Sequence, residues 1–167
     1  MKMMEDTSLA IELVKRAMDI ETEGRKFYLE AAQSTLDRKG KEIFKTLAND
    51  EGKHYSLLKN QYDTLKEKGV WSRTHELPKV DIDLTKPLFP KGIDALKQKV
   101  TEKSNDMDAL MFGLDIEMKS YDLYSQANVE DPAARRLFAY LADQEMGHFN
   151  LLMQRFDGLF GPITWYD

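Results

Sequence analysis

Asp50-Glu51-Gly52-Lys53-His54 sets a Glu-x-x-His where a helical bundle should bury leucine. Apolar residues recur around it at Phe44, Leu47, Leu58 and Leu65, in steps of three and four that pass through Glu51 and His54. That spacing is one face of a helix, and such a seam packs into the centre of a bundle. The carboxylate and the imidazole therefore point inward, where leaving them unpaired costs on the order of several kcal/mol. Other parts of the chain must compensate.

Composition narrows what can do so. The chain has 167 residues, 32% of them charged, and a formal net charge of −5. This length suffices for one domain over 1–167 with a real core, and the acidic balance argues against nucleic acid as a partner. No apolar run approaches the roughly 20 residues of a membrane span. The start, Met1-Lys2-Met3-Met4-Glu5-Asp6, lacks the apolar stretch of an export signal. A cytoplasmic protein with no membrane partner is expected. There is no cysteine, which excludes thiolate metal sites, iron–sulfur clusters and a thiol nucleophile within these residues. Any metal must be held by oxygen and nitrogen, and any electrons must arrive from another molecule.

The periodicity predicts a first helix over about 7–36, with Val14, Met18, Glu21, Tyr28 and Ala32 on one stripe and Asp6, Thr7 or Ser8 as its cap. A short turn at Arg38-Lys39-Gly40 leads to a second helix over about 41–68, stopped by Gly69. The short turn makes these two an antiparallel pair. From about 69 to 104 the pattern breaks at Pro78, Pro87 and Pro90, and Val80-Asp81-Ile82-Asp83-Leu84 alternates like an extended segment. This reads as a long crossover completed by a short extra helix around 93–102. A third long helix, capped by Ser104-Asn105-Asp106, runs to about 128 with Leu110, Leu114, Glu117, Tyr121 and Tyr124 inward. Asp131-Pro132 opens the last helix, which aligns Phe138, Leu141, Glu145, His148, Leu152 and Phe156. The apolar tail Gly161-Pro162-Ile163-Thr164-Trp165-Tyr166 is expected to pack on the bundle or on a second subunit. With the crossover, it points to a homodimer. The fold class expected is all-α, an antiparallel four-helix bundle with a long crossover between helices 2 and 3.

The two halves repeat each other. Asp19-Ile20-Glu21 recurs as Asp115-Ile116-Glu117, each Glu has a tyrosine seven residues on (Tyr28, Tyr124), and Glu51-x-x-His54 returns as Glu145-x-x-His148. Each of the four glutamates lies about 12–15 residues from the nearest turn, which at 1.5 Å rise is roughly 20 Å. All four therefore sit near mid-depth, and residues three apart on one face converge inward. Four glutamates bring about −4 and two neutral imidazoles bring none, so two divalent cations neutralise the set. One Glu from each of two helices plus Glu-x-x-His from each of the others is a dinuclear carboxylate pattern. Carboxylate and imidazole suit iron or manganese; two iron ions are the first expectation.

On these motifs, over about 7–158, the chain resembles the rubrerythrin branch of the ferritin-like superfamily. The resemblance implies Glu21, Glu51, His54, Glu117, Glu145 and His148 as metal ligands in a nonheme di-iron centre. Members of the family commonly reduce hydrogen peroxide, and relatives oxidise ferrous iron with oxygen. This chain departs from the typical pattern twice. It lacks the four cysteines of a rubredoxin-like module, so its electron donor would be external, such as a separate rubredoxin-like protein. It also has Ser120 where the family has a further glutamate one turn after the third-helix ligand. The leading expectation is a peroxide-reducing di-iron oxidoreductase. The alternatives are a ferroxidase or iron-handling protein, and a non-enzymatic bundle stabilised by metal.

Each signal has a plainer counterpart. One Glu-x-x-His alone is common on acidic helices, and only the duplicated, matched pattern carries weight. Tyr28 and Tyr124 suit hydrogen bonding to ligand carboxylates and plain core packing equally well. Asp50 and Asp143 suit orientation of the histidines or ordinary solvated faces. His75 has no ligand spacing around it. Met18, Met107, Met111, Met118 and Met153, with Trp71 and Trp165, read as packing residues.

Overall fold

The computed structural model describes residues 2–73 and 105–161. They form four helices: α1 (Lys2–Ser34), α2 (Arg38–Lys68), α3 (Asn105–Ser125) and α4 (Pro132–Phe160). The expected extra helix, the extended segment at 80–84, His75 and the tail with Trp165 lie outside the described residues.

The helix ends follow local chemistry, with some boundaries shifted from expectation. Gly69 adopts the left-handed conformation (φ 68°) that closes α2, and its N–H returns to the Leu65 carbonyl. Asp131 caps α4 by accepting from Ala133 and Ala134, ahead of Pro132. The first turn is displaced. Asp37 is the cap of α2 and accepts from the Gly40 N–H at 2.8 Å, so Arg38-Lys39-Gly40 is helix and not turn. Glycine there serves close approach, since a Cβ would stand 2.9 Å from Asp37 Oδ2. α1 begins at Lys2, so Asp6, Thr7 and Ser8 lie inside it and do not cap it. α3 ends at Ser125, short of the expected 128.

Contacts at one end of the bundle set the topology. Asp106, in the first turn of α3, accepts from the backbone N–H groups of Leu36 and Asp37, at the α1–α2 turn. Arg155, late in α4, makes a bidentate pair with Asp37 at 2.6 and 2.7 Å. So α1 and α4 end where α2 and α3 begin. α2 and α3 run the same way, so α3 begins at the end of the bundle opposite the close of α2, a helix of 31 residues and roughly 45 Å. Packing neighbours are α1 with α2, α3 with α4, α1 with α3 and α2 with α4, all antiparallel. This is the four-helix bundle expected.

The core is apolar at both ends. Near the α1–α2 turn, Tyr28, Phe44, Leu47, Leu110, Leu114, Phe149, Leu152 and Phe156 pack together. Toward the other end, Val14, Ala17, Leu58, Leu65, Tyr124, Leu137, Phe138 and Leu141 do the same. Trp71 joins this second cluster edge-on to Phe138, as Gln61 holds the exit from α2 through both the N–H and the carbonyl of Ser72. Two inward positions differ from the expected stripes: Ala17 is buried where Met18 is only half-buried, and Ser120 is buried where Tyr121 is half-buried. In both helices the buried face steps by three and then four, through Val14, Ala17 and Glu21 and through Glu117, Ser120 and Tyr124, so the inward neighbour is the small residue three positions on and not the large one four positions on. Between the two apolar clusters the inward positions are charged.

Candidate metal centre

Each helix contributes one inward glutamate at mid-depth, and α2 and α4 each add a histidine one turn later. Glu21, Glu51, His54, Glu117, Glu145 and His148 are all buried, with Glu117 and Glu145 at 0% exposure. The cross-helix approaches are close. His54 Nδ1 lies 3.0 Å from Glu145 Oε1, 3.4 Å from Glu21 Oε2 and 3.5 Å from Glu51 Oε2. His148 Nδ1 lies 3.4 Å from Glu51 Oε1 and 3.5 Å from Glu117 Oε1. The imidazole rings stack with centroids 5.6 Å apart.

Two overlapping donor groups result. Glu21, Glu51, His54 and Glu145 place one atom each within 4.8 Å of one another, and so do Glu51, Glu117, Glu145 and His148. Glu51 and Glu145 belong to both groups; Glu21 with His54 and Glu117 with His148 belong to one each. Each group could hold a cation, with Glu51 and Glu145 common to the two. An independent observation fits it. Among the described residues, nine buried side-chain nitrogen and oxygen atoms have no hydrogen-bond partner, and all but Thr35 Oγ1 belong to these six residues. Buried polar atoms are rarely left so, and lone pairs converging without protons to share are what a cation requires.

Protons substitute for cations in the metal-free chain. Burial raises the carboxyls of Glu21 and Glu145 well above the usual range, and their carboxylate neighbours raise them further. Burial opposes charge on the histidines, yet Glu21 and Glu51 around His54, and Glu117 and Asp50 around His148, hold both imidazoles well above their usual value. Glu51 shows the opposite balance: burial would raise it, but bonds with Glu21, His148 and His54 hold it well below the carboxylate range.

The tyrosines hold the outer carboxylates, each across the halves. Tyr28 donates to Glu117 Oε1, and Tyr124 donates to Glu21 Oε1. Seven residues span roughly 10 Å of helix, so each phenol lies two turns beyond the Glu of its own helix and meets that of the antiparallel neighbour. Burial raises both phenols, so each stays a donor.

Of the two aspartates considered as histidine partners, one serves. Asp50 Oδ2 lies 3.1 Å from His148 Nε2, and this bond lowers the Asp50 carboxyl. Asp143 is exposed. It stands two residues before Glu145, whereas Asp50 immediately precedes Glu51, and the difference of about 100° around the helix turns it outward. Ser120 is buried with its hydroxyl returned to the Ile116 carbonyl at 3.0 Å, so it adds no donor to the cluster. Its burial was invisible in the sequence because serine carries no apolar signal.

The rubrerythrin family model matches residues 12–156. No curated protein and no solved structure matches the chain.

Proposed function

This chain belongs to the rubrerythrin family, and we propose that it is a nonheme di-iron protein that reduces hydrogen peroxide with electrons from an external donor. The observation that carries this reading is the set of buried, unpartnered oxygens and nitrogens of six residues converging between two apolar clusters. Glu51 and Glu145, common to both donor groups, would be shared by the two ions, while Glu21 and His54 would complete one position and Glu117 and His148 the other. Manganese suits the same donors.

Iron, when bound, supplies the two electrons that cleave the O–O bond, so that H₂O₂, two electrons and two protons give two waters. The chain's own residues prepare the place. Tyr124 and Tyr28 hold the outer carboxylates of Glu21 and Glu117 in position through their phenol protons. The leucine and phenylalanine layers on either side exclude bulk water, so charges in the cluster interact in a low dielectric. Asp50, which is one quarter exposed at 26%, links the buried His148 to the surface. Residues 1–167 hold no cysteine for an iron–sulfur donor, and a small rubredoxin-like protein suits the role of electron source.

The test is to supply the iron-loaded protein with reduced donor and peroxide. Donor oxidation should be fast in the wild type and lost in Glu51→Ala; equal rates would refute the peroxidase reading. Ser120 favours a second reading, oxidation of ferrous iron by oxygen, because the family's further glutamate is replaced by a hydroxyl bonded to its own helix. Repeated Fe(II) turnover with oxygen, and none with peroxide, would identify it.

A further inference from the structure

The repeat is broken at the position just before the glutamate of each Glu-x-x-His. Asp50 immediately precedes Glu51 and reaches across to His148 Nε2 at 3.1 Å. The equivalent position before Glu145 is Gln144, and His54 Nε2 is buried with no hydrogen-bond partner among the described residues. Both histidines face the cluster through Nδ1, so Nε2 is in each case the nitrogen turned away from it. A carboxylate can only accept, so Asp50 keeps the proton on Nε2 of His148 and leaves the Nδ1 lone pair aimed at the cluster. It also fixes the ring and raises its basicity. Among the described residues, nothing does this for His54.

We infer that the two metal positions are unequal: Asp50 makes the Glu117–His148 position the tight one, and Gln144 leaves the Glu21–His54 position the weak one, to be filled last and emptied first. This rests on the dinuclear reading above and deepens it. Removing such an outer partner typically costs about 10- to 100-fold in metal affinity, and a gap of that order is expected between the positions. The consequence is functional, because a form holding one ion at the His148 side exists over a range of metal concentration.

Calorimetric titration of the metal-free full chain with Mn(II) reads this without any activity assay. Two binding events separated by about 10- to 100-fold are expected. Asp50→Asn should weaken the tighter event by a similar factor and leave the weaker one in place, closing the gap. Gln144→Glu, which replaces an amide by a carboxylate at the position equivalent to Asp50, should strengthen the weaker event alone. Two events of equal affinity in the wild type, or an Asp50→Asn variant that weakens both events alike or neither, would overturn the inference while leaving a dinuclear site standing. Absence of any Mn(II) binding would remove the dinuclear reading and this inference together.

Discussion

The phenol of Tyr124 donates to the carboxylate of Glu21, a residue 103 positions earlier in the chain. Tyr28 makes the reciprocal bond to Glu117 across 89 positions. Each bond ties a helix of one half to a glutamate of the other. Tyr124→Phe and Tyr28→Phe keep the ring packing and leave a buried carboxyl oxygen without its donor. Each should destabilise the metal-free protein by about 1–3 kcal/mol, read as a lower urea midpoint at unchanged slope.

Glu51 lies in both donor groups, whereas Glu21 lies in one. Metal counts should therefore differ between variants. Glu21→Gln is expected to retain about one tight metal per chain and Glu51→Ala close to none, measured by elemental analysis after dialysis. Equal loss in both would contradict the bridging assignment.

The metal-free protein should lose stability as the solution becomes alkaline. Folding raises His54 and His148 above their ordinary 6.5, so their contribution is complete below pH 6.5 and fades as pH climbs through the folded-state values. Glu21 and Glu145, raised above 4.5, act in the same direction. Melting temperature in chelator should fall as pH rises above 6.5. Saturating metal should flatten that slope, since the cations replace the protons, and should add about 2.7 kcal/mol for each position at a hundredfold excess over its Kd. A flat profile in chelator would contradict the account.

Asp37 joins three helices: it caps α2, pairs with Arg155 of α4 and donates its backbone N–H to Asp106 of α3. Asp37→Ala should cost about 0.5–2 kcal/mol for the cap alone, with a further loss from the stranded arginine. The Arg155 guanidinium lowers the Asp37 carboxyl below its usual 3.8. Its contribution is therefore present above pH 3.8 and disappears as pH falls through the lower folded value. Metal content should be unchanged, because this end of the bundle lies about 20 Å from the cluster.

Much of this molecule was legible before any coordinates. The Phe44–Leu47–Glu51–His54–Leu58–Leu65 seam and the Phe138–Leu141–Glu145–His148–Leu152–Phe156 seam are buried at every position, because a helix repeats nearly every third or fourth residue whatever surrounds it. The duplicated motif at matched depth also implied that six polar groups meet. Helix starts were less legible. Gly40 reads as a breaker, yet it sits inside α2 beside its cap.

The sequence by itself determined the four rods, their inward faces and the six residues that converge, because local periodicity and chain geometry depend on covalent spacing alone. Only the tertiary structure decided who meets whom: Tyr28 with Glu117 and not Glu21, Asp50 with His148 and not His54, Asp37 with Arg155. Those pairings depend on the relative height and rotation of helices far apart in the chain, which packing sets and no local spacing encodes.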